Sequence, residues 1–549
     1  MPDSLHRSNL STILDRIADH SARDAGAPAL TLVRGDQEER INRADFSRMV
    51  GRCAASIQRL GIRPGSVCIL FFDHQPLCYA MFFGAMAVGV VPTFMPTRTS
   101  KQEPAAFWQA HDALFGLIDP TAIFASQEKL GELASALPDW NGRFHAFEDV
   151  GHDTEFDPVD LDSGSIALLQ HSSGTTGLKK GVALSHRAVL AHTDAYAATI
   201  DLKGCDTIVS WLPVYHDMGL VACLLLPLLT GRPVVLIDRM EWLARPGKLF
   251  DAIERHRGTL SWMPNFAFAH LAALAGDLDQ RDLSSMRLFI NCSEPCRPQS
   301  TDRFVDAFAD WGVARTAMAT CYAMAETVFA VSQSKPGQIV PIMTGQAGQP
   351  DTLSSGPPLQ GIDIQIRDAQ ENSLASGSVG EVWVRGSWLF DGYYKRPELT
   401  AERFSNGWYR TGDLACQAED GSVYVLGRTD DLLIIDGRNI FAHEVEDALN
   451  GLEGLAPGRN LALGVADAEA GTAKLTILAE ASHAPSQAPD IKKDIRRLIG
   501  QRFALNPSRI LLLDRGQLHK TTSGKISRRQ NLQAYLQGQF TVGNEPHVP

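Results

Sequence analysis

Short apolar runs alternate with helical stretches through much of the first 430 residues. The runs at 66–72, 208–212, 233–237, 259–263 and 287–291 have the length of buried strands. Strand-then-helix alternation is the signature of parallel sheets covered by helices, because parallel neighbours need a long crossover between them. An α/β protein is therefore expected, with a large N-terminal domain of helix-covered, mostly parallel sheets. Runs at 381–385 and 423–426 add a small β region. The pattern changes around Gly427-Arg428-Thr429-Asp430-Asp431. A strand-like 432–435 follows, then a helix from about 442 to 449, runs at 462–465 and 475–480, and a basic helix at 491–502. These features predict a small mobile α/β C-terminal domain over 430–549, after a large domain over 1–429. A chain of 549 residues is too long for one core, which agrees with that division.

The balance of residues narrows the setting. Hydrophobic content of 44% and charged content of 21% describe an ordinary globular protein. The nine cysteines are scattered, only Cys292 and Cys296 lie close together, and no Cys/His cluster has zinc spacing. A reduced, cytoplasmic setting is expected. The first 30 residues mix charges with apolar residues and lack a signal-peptide core. The membrane-like run at 79–95 is short and broken by Gly84, Gly89 and Pro92. It reads as a buried helix entering a buried strand, so no transmembrane segment is expected. A net charge of −12 argues against general nucleic-acid binding. The charge is uneven. Residues 491–529 carry eleven Lys and Arg against two Asp, a net +9 that leaves −21 for the rest. Such a segment is either a solvated helix face or a surface that meets polyphosphate, coenzyme A phosphates or an acidic carrier.

The densest chemical signal is Ser172-Ser173-Gly174-Thr175-Thr176-Gly177-Leu178-Lys179-Lys180-Gly181, just after the apolar run 166–169. Glycines let a backbone approach a ligand closely, hydroxyls and amides donate to oxygens, and lysine supplies countercharge. The spacing is not that of a Walker A loop. By itself such a cluster also fits a plain surface loop.

The stretch resembles the phosphate loop of the adenylate-forming superfamily of acyl-CoA synthetases, fatty acyl-AMP ligases, peptide-synthetase adenylation domains and luciferases. Lys179 departs from the proline of many members. Further blocks follow in the superfamily's order over nearly the whole chain. In 210–220, Ser-Trp-Leu-Pro-Val-Tyr-His-Asp-Met-Gly-Leu, His216 matches the gate beside the carboxylate and α-phosphate, with Met218 on the substrate side. Residues 262–268, Trp-Met-Pro-Asn-Phe-Ala-Phe, are similar to the acyl-pocket stretch of fatty acyl-AMP ligases, which makes Phe266 and Phe268 lining candidates. Ser293, Glu294 and Pro295 correspond to the bounds of an adenine site, Tyr322 to the residue that stacks on the base, and Glu326 to the Mg²⁺ carboxylate. Ala323 replaces the usual glycine and faces the substrate pocket. Asp413 matches the acceptor of the ribose hydroxyls, Arg428 the arginine at ribose or phosphate, and Asp430 the hinge. Lys525, in Leu518-His519-Lys520-Thr521-Thr522-Ser523-Gly524-Lys525, corresponds to the lysine that reaches the acid and α-phosphate.

The resemblance implies ATP and Mg²⁺ as cofactors and a carboxylic, fatty acid as substrate. The acid becomes an acyl-adenylate and passes to a phosphopantetheine thiol, of coenzyme A or of a stand-alone acyl carrier protein. Catalytic candidates are Lys525, His216, Thr175 and Glu326. Nucleotide-binding candidates are Ser172, Ser173, Gly174, Thr175, Thr176, Gly177, Lys180 and the adenine and ribose residues above. The His216 and Phe266 blocks lean to the carrier, and the segment 331–361 has a length between that of a plain synthetase and that of a full insertion. The short tail after Lys525 makes a separate carrier the expectation. A homologue that binds nucleotide or acyl-adenylate without making it is the reading of another class. An amino-acid adenylation domain fits the His216 block poorly, with Asp217 and Glu241 the acids left to face a substrate ammonium.

Overall fold

In the computed structural model of the chain, the residues described are 11–98, 104–172, 180–294, 296–344, 351–435, 438–467, 472–482, 488–503, 505–520, 526–542 and 545–546. The strands that carry the argument are β1 (Pro28–Arg34), β2 (Gln37–Asn42), β3 (Val67–Phe71), β4 (Val91–Met95), β5 (Ala122–Ala125) and β6 (Phe144–Ala146). They continue with β7 (Ile166–Ser172), β8 (Lys180–Ser185), β9 (Ile208–Ser210), β10 (Val234–Ile237) and β11 (Leu260–Pro264). The last of the series are β12 (Leu288–Cys292), β13 (Met318–Ala323) and β14 (Ala330–Gln333).

An eight-stranded sheet runs in the order β14-β13-β12-β11-β9-β10-β1-β2. Its six central strands are parallel, and the edge strands β2 and β14 are antiparallel. β11 and β12 are buried at every residue, which is why they read as unbroken apolar runs. A second, all-parallel sheet has the order β4-β3-β5-β6. The membrane-like run resolves into the helix Pro76–Ala87 and strand β4, as expected. Proline at the helix start and burial on all sides explain its apolar character. Among the described residues no helix is long and apolar enough to cross a membrane.

β7 and β8 form an antiparallel hairpin, extended on the β8 side by Gly392–Tyr393. The small β region is an antiparallel sheet of Ile362–Arg367, Val379–Gly386, Phe404–Ser405, Trp408–Gln417 and Val423–Arg428. From Leu432 a separate five-stranded sheet begins, with Thr472–Ala481 pairing to both Leu455–Asp467 and Arg509–Leu513. The helix Ala488–Phe503 packs Ile491, Ile495, Ile499 and Phe503 into that unit's own core. That spacing is one face of a helix, which leaves Lys493, Arg496, Arg497 and Arg502 outward.

Candidate functional site

Ligands of open α/β sheets sit outside the carboxyl ends of the parallel strands. Here that edge gathers most of the described candidates. β12 ends at Cys292, and Ser293 turns the chain in the left-handed region at φ 72°. A non-glycine residue there is uncommon, and such strain is found where a turn must be held open. β13 carries Tyr322 and Ala323. β9 ends at Ser210 and leads into Trp211 to His216. β11 ends at Pro264 and starts the helix Asn265–Ala273. Ser173, Gly174, Thr175, Thr176, Gly177, Pro295 and Lys525 lie outside the described residues, as does the side chain of Ser172.

Asp413 is buried and doubly held. Tyr322 donates to Oδ2 at 2.6 Å, and Arg428 Nη1 donates to Oδ1 at 3.0 Å. The strands bearing Asp413 and Arg428 put these two residues directly opposite each other. Burial pushes the Asp413 carboxyl up, and the Arg428 charge with the Tyr322 hydroxyl opposes that rise. Asp430 lies just beyond, exposed, in the short turn Thr429–Asp431.

Glu326 sits in the one-turn helix Ala325–Thr327. Tyr393 donates to Glu326 Oε1 at 2.7 Å and meets the Tyr409 hydroxyl at 3.0 Å. Lys180 Nζ lies 4.9 Å over the Tyr393 ring, a cation–π arrangement. Burial and the nearby Arg403 lower the Lys180 pKa, against the pull of Glu326. Lys180 and Glu326 thus meet the same tyrosine, the lysine over its ring and the carboxylate at its hydroxyl. Val328, β-branched and fully buried, follows at φ 66°. That outlier marks a strained turn at the same place.

The 210–220 block folds back on itself. Asp217 Oδ1 accepts the Met218 N–H at 2.8 Å at the start of a wide helical segment, Met218–Leu225, with π-type hydrogen bonds. Such segments recur at functional sites. Gly219 has no room for a side chain, because a Cβ would stand 2.3 Å from the Pro213 carbonyl oxygen. His216 packs on Tyr215 with ring centroids 4.9 Å apart. Ser293 Oγ reaches Met218 Sδ at 3.9 Å, so the His216 and Ser293 blocks meet. Gln170 of β7 donates to the Tyr215 carbonyl at 3.1 Å and ties the strand before the phosphate-like loop to the same turn.

Phe266 and Phe268 part company. Phe266 is 52% exposed and faces Trp211 edge-on at 6.4 Å, while Phe268 is fully buried against Phe304 at 5.1 Å. Trp211 in turn stacks flat on Trp242 at 3.5 Å. Glu294 Oε1 accepts the Phe266 N–H at 2.7 Å. Glu241 is taken by Lys248 and the Gly35 N–H, and Asp217 caps Met218, so both acids have structural duties. The segment 331–361 closes through Ile342–Met343 against Thr352–Leu353, and its Leu353 N–H donates to the Cys296 carbonyl at 3.2 Å. Tyr393, Gln170 and Trp242 were not singled out from sequence. Their places depend on pairings with distant strands, and no local spacing announces them. Among the described residues no group of three or more His, Cys, Asp or Glu stands ready for a metal.

Comparison with known proteins gives the class of the chain. A family model described as AMP-binding enzyme matches residues 17–394, so the chain belongs to that family. The 4-hydroxyphenylalkanoate adenylyltransferase of Mycobacterium marinum is 31% identical over 437 residues, covering 70% of this chain and 69% of the relative. The medium-chain-fatty-acid–[acyl-carrier-protein] ligase JamA of Moorena producens is 25% identical over 581 residues, covering 97% and 96%. A solved structure from work on the fatty acyl-adenylate ligases of E. coli and L. pneumophila has a TM-score of 0.87 at 24% identity, covering 96% of this chain and 98% of that one. The McyG adenylation–carrier structure with phenylalanyl-adenylate has the same TM-score, 0.87, at 23% identity, covering 96% and 83%. At that identity these two likenesses speak for the fold.

Proposed function

We propose that this protein activates a carboxylic acid, a fatty acid, with ATP and hands the acyl group to a phosphopantetheine thiol. The observation that carries the reading is the convergence on one strand edge of the Tyr322–Asp413–Arg428 cluster, the Glu326–Tyr393–Lys180 group and the Met218–Ser293 contact. Asp413 accepts the ribose hydroxyls, and Tyr322 offers its face to the adenine bounded by Ser293, Glu294 and Pro295. Ser172 to Gly177 and Lys180 hold the departing β- and γ-phosphates. Thr175 supports the same transfer. Arg428 touches ribose or phosphate.

Glu326, a carboxylate oriented by Tyr393, would hold a Mg²⁺ ion, a hard cation that takes carboxylate and phosphate oxygens. When bound, the ion would neutralise phosphate charge. His216 orients the acid and excludes water, with Met218, Phe266 and Ala323 toward the acyl chain. The acid oxygen attacks the α-phosphorus and pyrophosphate leaves. The thiol sulfur then attacks the acyl carbonyl and AMP leaves. Lys525 offsets charge gathering at the α-phosphorus in the first step. Residues 430–549 form the mobile domain that brings Lys525, hinged at Asp430.

The acceptor is a carrier-borne phosphopantetheine in this reading. The relative JamA is named for an acyl carrier protein acceptor, which supports it. The test is acid-dependent ATP–pyrophosphate exchange across acids of graded length, with Lys525→Ala beside the wild type. Exchange with aliphatic acids that falls at least about a hundredfold in the variant is expected. Full exchange in Lys525→Ala would overturn the role of that lysine, and exchange with amino acids alone would overturn the branch. Tight AMP binding without exchange would point to a non-adenylating binder. Thioester formation with free coenzyme A, measured beside a carrier protein, decides the acceptor.

A further inference from the structure

A cluster outside the proposed catalytic set lies where the loop after β12 meets the unit that begins at Leu432. Arg297 follows Ser293 and Glu294 in that loop and precedes the helix Pro298–Phe308. Its backbone N–H donates to Asn265 Oδ1 at 3.3 Å, which also accepts from Asn291 Nδ2 at 2.9 Å. With Glu294 holding the Phe266 N–H, the loop is clamped at both ends to the start of the helix Asn265–Ala273. The Arg297 side chain is only 10% exposed, with Nε 3.6 Å from Asp447 Oδ2. Its Nη2 is buried without a hydrogen-bond partner among the described residues. A guanidinium keeps its charge under such burial and so depends on nearby carboxylates.

Those carboxylates belong to the helix Ala442–Leu449. Glu444 and Asp447 stand three residues apart, on one helical face. Burial pushes the Glu444 carboxyl up to about 7, and Arg297 pulls it back. The same helix is tied from its own unit. Arg528 donates to Glu446 Oε1 at 2.5 Å and to Asp431 Oδ1 at 3.0 Å. Arg528 stands three residues beyond Lys525. The helix therefore meets the Ser293 loop through Asp447 and Arg528 of its own unit through Glu446.

We propose that Arg297 is a positioning residue that seats the C-terminal unit, through Asp447 and Glu444, against the nucleotide loop. The seat sets the balance between the two half-reactions. This rests on the function proposed above. The first step needs Lys525 at the acid and α-phosphorus, and the second needs a thiol at the same carbonyl. One site serves two reagents in turn, so the unit that brings Lys525 must be held and then released. A contact with one buried and one half-exposed partner suits that duty: Asp447 remains 53% exposed while Arg297 does not.

The test compares Arg297→Gln, Asp447→Asn and the conservative Arg297→Lys in the full chain. Amide hydrogen exchange over residues 428–449 reads the seating without any activity. The kcat for pyrophosphate exchange and the kcat for transfer from a supplied acyl-adenylate to pantetheine read the two steps. Both charge-removing variants should speed hydrogen exchange there and shift the ratio of the two kcat values at least about fivefold, in one direction. The KM for ATP should stay within about twofold, and Arg297→Lys should stay near wild type. Unchanged hydrogen exchange, or two kcat values that fall in parallel, would overturn the proposal. A wild-type protein inactive with every acid would instead sink the proposed function and leave the hydrogen-exchange result to judge the seat.

Discussion

Tyr322 donates its hydroxyl to Asp413 at 2.6 Å, on the carboxylate whose other oxygen is held by Arg428. The phenol makes a buried hydrogen bond, and in the proposed function its face also stacks on the base, two duties that substitution separates. Tyr322→Phe keeps the face and loses a bond to a charged group, costing about 1.5–3 kcal/mol of stability. Its KM for ATP should stay within about threefold, while Tyr322→Ala should raise it about tenfold or more through lost stacking. Thermal denaturation and exchange kinetics on the two variants check this. Equal KM values for the two would refute the stacking role.

Glu326→Gln separates metal holding from support of the turn. Glutamine still offers an oxygen to Tyr393, so stability should change by less than about 1 kcal/mol. The kcat of pyrophosphate exchange should fall about a hundredfold, because the neutral amide is a poor ligand for a hard cation. Exchange activity close to wild type at ordinary Mg²⁺ would remove Glu326 from the proposed site.

Gly219→Ala tests the turn that carries His216. The added Cβ would stand 2.3 Å from the Pro213 carbonyl oxygen, which also accepts the His216 N–H at 3.2 Å. Relief requires that carbonyl to move, at a cost of about 1–3 kcal/mol. A lowered melting temperature together with reduced exchange is the expected result. A variant as stable and active as wild type would show that the turn tolerates displacement.

Three histidines held below their ordinary pKa contribute to the response to acid. Burial pushes His192 and His443 down to about 3 and His186 to about 4. His192 Nε2 accepts the Ala330 N–H at 2.9 Å, a bond that protonation at that nitrogen would destroy. The unfolded chain takes up these protons below about pH 6.5 while the folded chain does not, so stability falls as pH drops from there toward about 3. Denaturant midpoints measured from pH 7 to pH 4.5 should decline in the wild type. His192→Gln, which keeps an acceptor for Ala330, should decline less steeply. An unchanged slope in that variant would refute the assignment.

The parallel core was legible because its strands are buried at every residue and so appear as unbroken apolar runs, as at Leu260–Pro264 and Leu288–Cys292. The run at 208–212 ends sooner in the structure, at Ser210, because Trp211 leaves the strand to stack on Trp242. Strand order was not legible, since β11 pairs with β9 and leaves β10 on the far side. Of the site, Tyr322, Asp413, Arg428 and Glu326 were named from local blocks and are found at one strand edge. Tyr393, which joins Glu326 to Lys180, owes its place to the register of Tyr393 with Val182. Arg297 belongs to none of the chemical blocks, and the helix Ala442–Leu449 that it meets lies far along the chain.

The order of the chemical blocks, the alternation of strand and helix, and the basic segment at 491–529 are properties of the sequence alone. They determine which groups the chain has to work with and which class of fold can hold them. The tertiary structure decided which groups meet. Tyr322 and Asp413 are 91 residues apart, yet they share a hydrogen bond inside a buried site. Periodicity reports which face of an element is buried, but not which distant element covers it. That choice is made by sheet order and register, where backbone pairing and side-chain packing must be satisfied together.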